Sequence, residues 1–133
     1  MESTLEIARE DWTTFLDAFS RIHRGWRSRI EVLGTEIGAQ SEGENLPLIG
    51  VSADFKVAGR ERVVIALASA DGHVSHAVSR PTALRLLRTP DGAVSALAIE
   101  SAGDPVTLLQ FESPAVPDAA NGLLHEVESA RGR

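Results

Sequence analysis

The chain has 133 residues, enough for one domain, and 43% of them are hydrophobic, close to the norm for globular proteins. Its 19 acidic and 13 basic side chains give a formal charge of −6, which argues against nucleic acid or an anionic membrane surface as a partner. Cysteine is absent, which excludes thiol catalysis, disulfides and thiolate metal sites. The acidic N-terminus shows no signal-peptide pattern, so we expect a cytoplasmic protein.

An amphipathic helix is predicted from about Arg9 to Arg24, after an N-terminal extension over residues 1–8. Arg21, His23 and Arg24 in its last turn suit the helix dipole as cations, and Gly25 then provides a left-handed stop. Five large apolar residues recur at the spacing of one helix face, namely Trp12, Phe15, Leu16, Phe19 and Ile22.

After Gly25 the apolar period changes to two, which is typical of half-buried strands. The first predicted strand runs from Trp26 to Leu33, a short extra strand falls within residues 35–40, and residues 41–45 form a polar loop. Residues 82–88 suit either a short helix or a strand, and the following Pro90-Asp91-Gly92 turn favours a strand. Further strands are predicted over residues 46–55, 62–68, 73–79, 93–100 and 106–111.

These elements predict an α+β fold in which the helix packs on a five-to-seven-stranded antiparallel β-meander. The sheet is expected to be open or curled into a partial barrel. The alternative is a small closed barrel with the helix plugging one end. The single domain is placed at residues 9–113, and residues 114–133 form a C-terminal tail, either frayed or containing a short docked helix.

The spacing of several residues resembles an uncharacterised bacterial family, the domain of unknown function 5335. The likeness covers about residues 9–115 and includes Trp12-x-x-Phe15, His23-x-Gly25-Trp26, Leu46-Pro47-Leu48-x-Gly50 and Leu109-x-Phe111. The resemblance implies a single-domain bacterial protein. It implies no catalytic residue, because the family has no activity that can be carried over.

The first candidate ligand site is a basic patch beside a tryptophan. Arg24, Arg27 and Arg29 lie close together in sequence around Trp26, with no acidic residue between them. Arginines next to an aromatic ring can bind an anion. The simpler interpretation is a helix end with favourable cations, followed by the exposed face of a strand.

His76 is the second candidate. It shares a strand face with Val74 and Val78, so a half-buried imidazole there would need a hydrogen-bond partner, and Asp54 is one possibility. His73 is three residues away and would point to the opposite face, so the pair is poorly placed to chelate a metal.

The function that these residues favour is a non-catalytic binding or interaction module, with a homodimer as one form, because an open meander needs protected edges. We expect no cofactor and no bound metal. Two alternatives stay open: a binder of a small anionic ligand at the Arg/Trp patch, and a small enzyme or metal-binding protein that uses His76 with a carboxylate.

Overall fold

The computed structural model describes residues 3–34, 38–103 and 105–115. It contains one α-helix, α1 (Trp12–His23), preceded by a 3-10 turn at Arg9–Asp11. The eight strands are β1 (Ser3–Glu6), β2 (Arg27–Gly34), β3 (Gly38–Asp54), β4 (Arg62–Ser69), β5 (Gly72–Ser79), β6 (Pro81–Arg88), β7 (Val94–Ser101) and β8 (Val106–Ala115). Within the described residues, no helix is long and apolar enough to cross a membrane.

All strands pair antiparallel in the order β1-β6-β7-β8-β2-β3-β4-β5, which confirms the α+β prediction. The sheet does not close into a barrel, and β1 and β5 form its two edges. The expected five to seven strands were too few. Residues 3–6, which the sequence analysis assigned to an N-terminal extension, pair with residues 85–88 of β6 and join the sheet.

The predicted polar loop at residues 41–45 was wrong, because these residues belong to the continuous strand β3. The pairing of β3 with β2 shifts register twice, between Ser28 and Ile30 and between Ile30 and Glu31, and Asn45 has a φ of 54°. The bulges absorb the extra residues while the ladder continues. Residues 35–37 and 116–133, where part of the short strand and most of the tail were predicted, lie outside the described residues.

The helix packs its apolar face on the sheet, chiefly against β3. Ser20 fixes this contact, since its hydroxyl accepts a hydrogen bond from the Val51 N–H (2.8 Å) and donates one to the Val51 carbonyl (2.9 Å). At Gly25 the chain leaves the helix with a φ of 87°, as the sequence predicted. The largest fully buried side chains of this core include Trp12, Phe15, Leu16, Phe19, Ile30, Leu48, Ile65, Leu84 and Leu97.

Candidate anion-binding groove

A charged groove of about 550 Å³ lies where the β3–β4 loop meets the corner between β5 and β6. Its lining residues come from three segments: the end of β3 with the loop, the start of β4, and the residues that join β5 to β6. Six charged side chains line it, the cations Lys56, Arg60, Arg62 and Arg80 and the carboxylates Asp54 and Glu61. We call this feature the basic groove.

The two carboxylates of the basic groove bind the backbone of the loop itself. Asp54 Oδ1 accepts the Lys56 N–H at 3.2 Å, and Glu61 Oε1 accepts the Gly59 N–H at 3.1 Å. Hydrogen bonds from the N–H groups of Glu61 and Gly59 lower the pKa of the Glu61 carboxyl, and the positive charge of Arg9 acts in the same direction. The carboxylates therefore shape the loop, and Gly59, with a φ of 82°, allows its turn.

Arg80 enters the groove from a strained corner. Its φ of 47° lies in the left-handed region, which is unfavourable for a residue with a Cβ. The Arg80 N–H donates to the Glu61 carbonyl at 2.8 Å, and the Arg80 carbonyl accepts the Ala102 N–H at 3.0 Å. Because both backbone groups are fixed, the Arg80 side chain starts from a defined position beside the β3–β4 loop.

Arg9 holds the same region together from the helix side. Its guanidinium carbon lies 4.8 Å from the ring centroids of both Trp12 and Phe55, a cation–π arrangement. Its Nη1 donates to the Pro81 carbonyl at 2.8 Å. Arg9 thus links the 3-10 turn, the end of β3 and the β5–β6 corner, which are the elements that position the groove.

The groove carries an excess of positive charge in a chain whose formal charge is −6. One cation is paired: Arg62 Nε lies 3.6 Å from Asp54 Oδ2, and both side chains are partly exposed. Among the residues that the structure describes, no carboxylate oxygen lies within 4 Å of the charged groups of Lys56, Arg60 or Arg80. Three cations therefore face the groove without a counter-ion from the described chain.

Comparison with known proteins places the chain in a family without assigning it an activity. The model of the family of unknown function DUF5335 matches residues 3–120, which is most of the chain. The chain belongs to this family. No curated protein and no solved structure matches it. The resemblance seen in the sequence is thus confirmed, and the DUF5335 assignment leaves the function to be argued from the geometry.

The predicted Arg/Trp patch is divided between the two faces of the sheet. Arg27 and Arg29 are exposed on the outer face of β2, where Arg27 Nη1 donates to the Asn45 carbonyl at 2.7 Å and Arg29 Nε donates to Gln110 Oε1 at 2.8 Å. Arg24 is exposed beyond the end of the helix. Trp26 instead packs against the core, and its ring lies tilted against Phe111 with the ring centroids 5.7 Å apart. Among the described residues, Trp26 therefore faces the core, and Arg27 and Arg29 face away from it.

His76 lies far from that patch in the sheet order, on edge strand β5 opposite Ile65 of β4. It is half-buried, whereas His73 is exposed. Asp54, the suggested partner, instead contacts Arg62 and the Lys56 N–H. Within the described residues, no group of three or more histidines and carboxylates is placed to hold a metal ion.

His23 differs most from its expected role as a favourable cation at the helix end. It is completely buried and its ring stacks on Phe111, with the ring centroids 4.9 Å apart. The Phe19 ring lies tilted against it at 4.5 Å and the Trp26 ring edge-on at 5.5 Å. Its Nδ1 lies 2.8 Å from the Phe19 carbonyl, which can only accept, so Nδ1 carries the proton of the neutral ring. Burial lowers the pKa of His23, with the Phe19 hydrogen bond acting in the opposite direction. The imidazole is therefore neutral in the folded protein at pH 7.

The basic groove was missed by sequence reasoning, although part of its signal was visible. Lys56, Arg60 and Arg62 fall within seven residues around Gly59, and Lys56 is the only lysine of the chain. Arg80 carried no such signal, because only the fold places the β5–β6 corner beside the β3–β4 loop.

Proposed function

We propose that the protein is a cytoplasmic, non-catalytic binding module whose basic groove takes a small polyanionic ligand, such as a phosphorylated organic molecule. The observation that supports this most is the convergence of Lys56, Arg60 and Arg80 without carboxylate partners among the described residues. Like charges that converge in one cleft repel each other, so an anion bound between them would stabilise the arrangement. Charge-assisted hydrogen bonds from guanidinium groups to phosphate oxygens are among the stronger polar contacts in proteins.

The loop also offers an apolar contact at the groove. Val57 lines it, and 55% of this residue is exposed. An organic phosphate with an apolar portion would cover Val57 while its charged oxygens meet the cations. This favours a phosphorylated metabolite over a bare inorganic ion. The formal charge of −6 disfavours a polynucleotide.

The test compares two triple variants with the same change in charge. In the groove variant Lys56, Arg60 and Arg80 are replaced by Gln. In the patch variant Arg24, Arg27 and Arg29, all exposed, are replaced by Gln. Both variants lose three positive charges, so a difference between them reports position and not net charge.

Isothermal titration with tripolyphosphate measures the outcome, and circular dichroism checks that both variants are folded. We expect the groove variant to bind more than about 100-fold more weakly than the wild type, from the loss of three charge-assisted contacts. The patch variant should keep the wild-type affinity within about twofold, because exposed charges far from a site are screened. Equal losses in both variants, or a wild type that does not bind, would refute the proposal.

A further inference from the structure

A second groove lies between the second half of edge strand β5 and the strands β2, β7 and β8. Its volume is about 280 Å³, roughly nine times the space that one water molecule occupies. Val32, His76, Val78, Pro105 and Thr107 contribute to its lining. We call this feature the inner groove, because Val32, Val78 and Thr107 belong to the buried face of the sheet. It has room for one small organic molecule.

Hydrogen bonds hold the walls of the inner groove in place. The Ala102 N–H donates to the Arg80 carbonyl at 3.0 Å, which joins the β7–β8 turn to the β5–β6 corner. The Ser101 hydroxyl and the Ser101 N–H both donate to the Pro105 carbonyl, at 3.1 and 3.2 Å. Because its walls are fixed in this way, the groove needs little reorganisation when a ligand enters.

Thr107 is the lining residue that points to a ligand. Only 3% of it is exposed, and its hydroxyl has no hydrogen-bond partner among the residues that the structure describes. Its cross-strand neighbours, Val32 on β2 and Ile99 on β7, offer only apolar side chains. A buried hydroxyl without a partner lowers stability. A polar atom bound in the inner groove would satisfy it.

His76 provides a second polar group in the same groove. Its ring is half-buried and makes no hydrogen bond with the described part of the chain. An imidazole carries at least one N–H donor in either protonation state, and a hydroxyl can also donate. A carboxylate has two oxygens and can accept from both donors at once. The apolar lining from Val32, Val78 and Pro105 favours a hydrocarbon chain on the rest of the ligand.

We propose that the inner groove binds a small monocarboxylic acid, whose carboxylate accepts hydrogen bonds from the Thr107 hydroxyl and the His76 ring and whose short apolar chain covers the valines. None of the described lining residues carries a carboxylate that would repel this ligand. Lys56 and Arg60 of the basic groove do not line the inner groove. Arg80 borders both grooves, so the tests leave it unchanged. The proposal does not depend on the ligand of the basic groove.

Amide chemical-shift mapping with sodium hexanoate tests the location and class of the ligand. In a titration to about 50 mM, with sodium chloride at equal concentration as the blank, the largest shifts should fall on residues 76–79 and 105–107. The dissociation constant should be in the millimolar range, as expected for so small a ligand. Sodium acetate lacks the apolar chain and 1-hexanol lacks the carboxylate, so each should bind about tenfold more weakly. No shifts at these residues, or equal binding of 1-hexanol, would overturn the proposal.

Substitution of the two donors tests their contacts with the carboxylate. T107V keeps the shape of the side chain without its hydroxyl, and H76L replaces the imidazole by an apolar group. Each variant should weaken hexanoate binding by about tenfold, because each loses one hydrogen bond to a charged group. T82V and H73L make the same changes at exposed residues outside the inner groove and should leave the affinity unchanged. Equal affinities for all four variants would overturn the proposal.

Thermal unfolding separates a ligand contact from a purely structural role of Thr107. Because its hydroxyl has no partner among the described residues, T107V should keep or raise the thermal midpoint measured without hexanoate. Hexanoate should raise the midpoint of the wild type more than that of T107V. T107V should bind tripolyphosphate as the wild type does, so a failure here is distinct from a failure of the basic groove. A large fall in the midpoint of T107V would show that the hydroxyl already has a partner inside the protein and would overturn its assignment.

Discussion

Replacing His23 by phenylalanine should remove one acid-dependent loss of stability. In the wild type the folded state holds His23 neutral, because burial lowers its pKa below the usual value of 6.5. The unfolded chain binds a proton below about pH 6.5 that the folded chain does not bind, so the free energy of unfolding falls as pH drops below that value and is constant above it. The H23F variant lacks this group and should lack this dependence.

The size of this pH dependence follows from one proton that the unfolded chain binds and the folded chain does not. Below the pKa of His23 in the unfolded chain, His23 lowers the free energy of unfolding by at most about 1.4 kcal/mol for each pH unit. H23F should keep the ring contacts with Phe19 and Phe111, and it removes Nε2, a buried nitrogen with no hydrogen-bond partner among the described residues. Such a nitrogen costs about 1–3 kcal/mol, which offsets the lost Nδ1 hydrogen bond to Phe19.

Urea denaturation followed by far-UV circular dichroism, at half-unit steps from pH 8 down, measures this effect. The difference in free energy of unfolding between H23F and the wild type should be constant above pH 7 and should shift in favour of H23F below pH 6.5. H73Q, at an exposed histidine, is the control and should track the wild type. Parallel curves for H23F and the wild type would show that His23 titrates as freely in the folded state as in the unfolded state.

Three further predictions concern single residues. S20A should lower the free energy of unfolding by about 1–3 kcal/mol in urea denaturation, because the Val51 N–H and carbonyl lose the hydroxyl that holds β3 to α1, while exposed S52A should have no effect. R80G and R80A should both weaken tripolyphosphate binding in calorimetry. R80G should have a higher thermal midpoint than both R80A and the wild type, because alanine and arginine carry the same strain of about 1 kcal/mol at a φ of 47° and glycine does not. G25A should lower the free energy of unfolding by about 1 kcal/mol for the same backbone reason, and a neutral result would contradict the left-handed helix end.

Local patterns predicted most of the fold because burial enforces them directly. The apolar spacing from Trp12 to Ile22 is that of one helix face, and turn signals such as Pro90-Asp91-Gly92 separated the strands. The prediction of a strand, and not a helix, over residues 82–88 was correct because the turn that follows it is a hairpin signal. The loop prediction for residues 41–45 was wrong because a bulged strand tolerates polar residues that usually mark a loop. Strand β1 at residues 3–6 was not predicted, because four residues with mixed exposure show no clear alternation of apolar and polar side chains.

The functional candidates were harder to predict because they depend on which segments meet. Trp26 is adjacent in sequence to Arg27 and close to Arg24 and Arg29. It packs against the core just before β2 begins, whereas these arginines are exposed. The basic groove joins residues near position 58 to Arg80, more than twenty positions away, through a corner that no local pattern specifies. His23 was expected to be one of the favourable cations at the helix end, whereas Phe111 on β8 packs against its ring and helps to bury it.

Backbone amide chemical-shift mapping by NMR during titration with tripolyphosphate tests the proposed function most directly. If the basic groove is the ligand site, the largest shifts should fall on residues 56–62 and on Arg80, and the amides of residues 24–29 should stay in place. Shifts centred on residues 24–29, or small shifts scattered over all exposed cations, would contradict the assignment of this groove as a binding site.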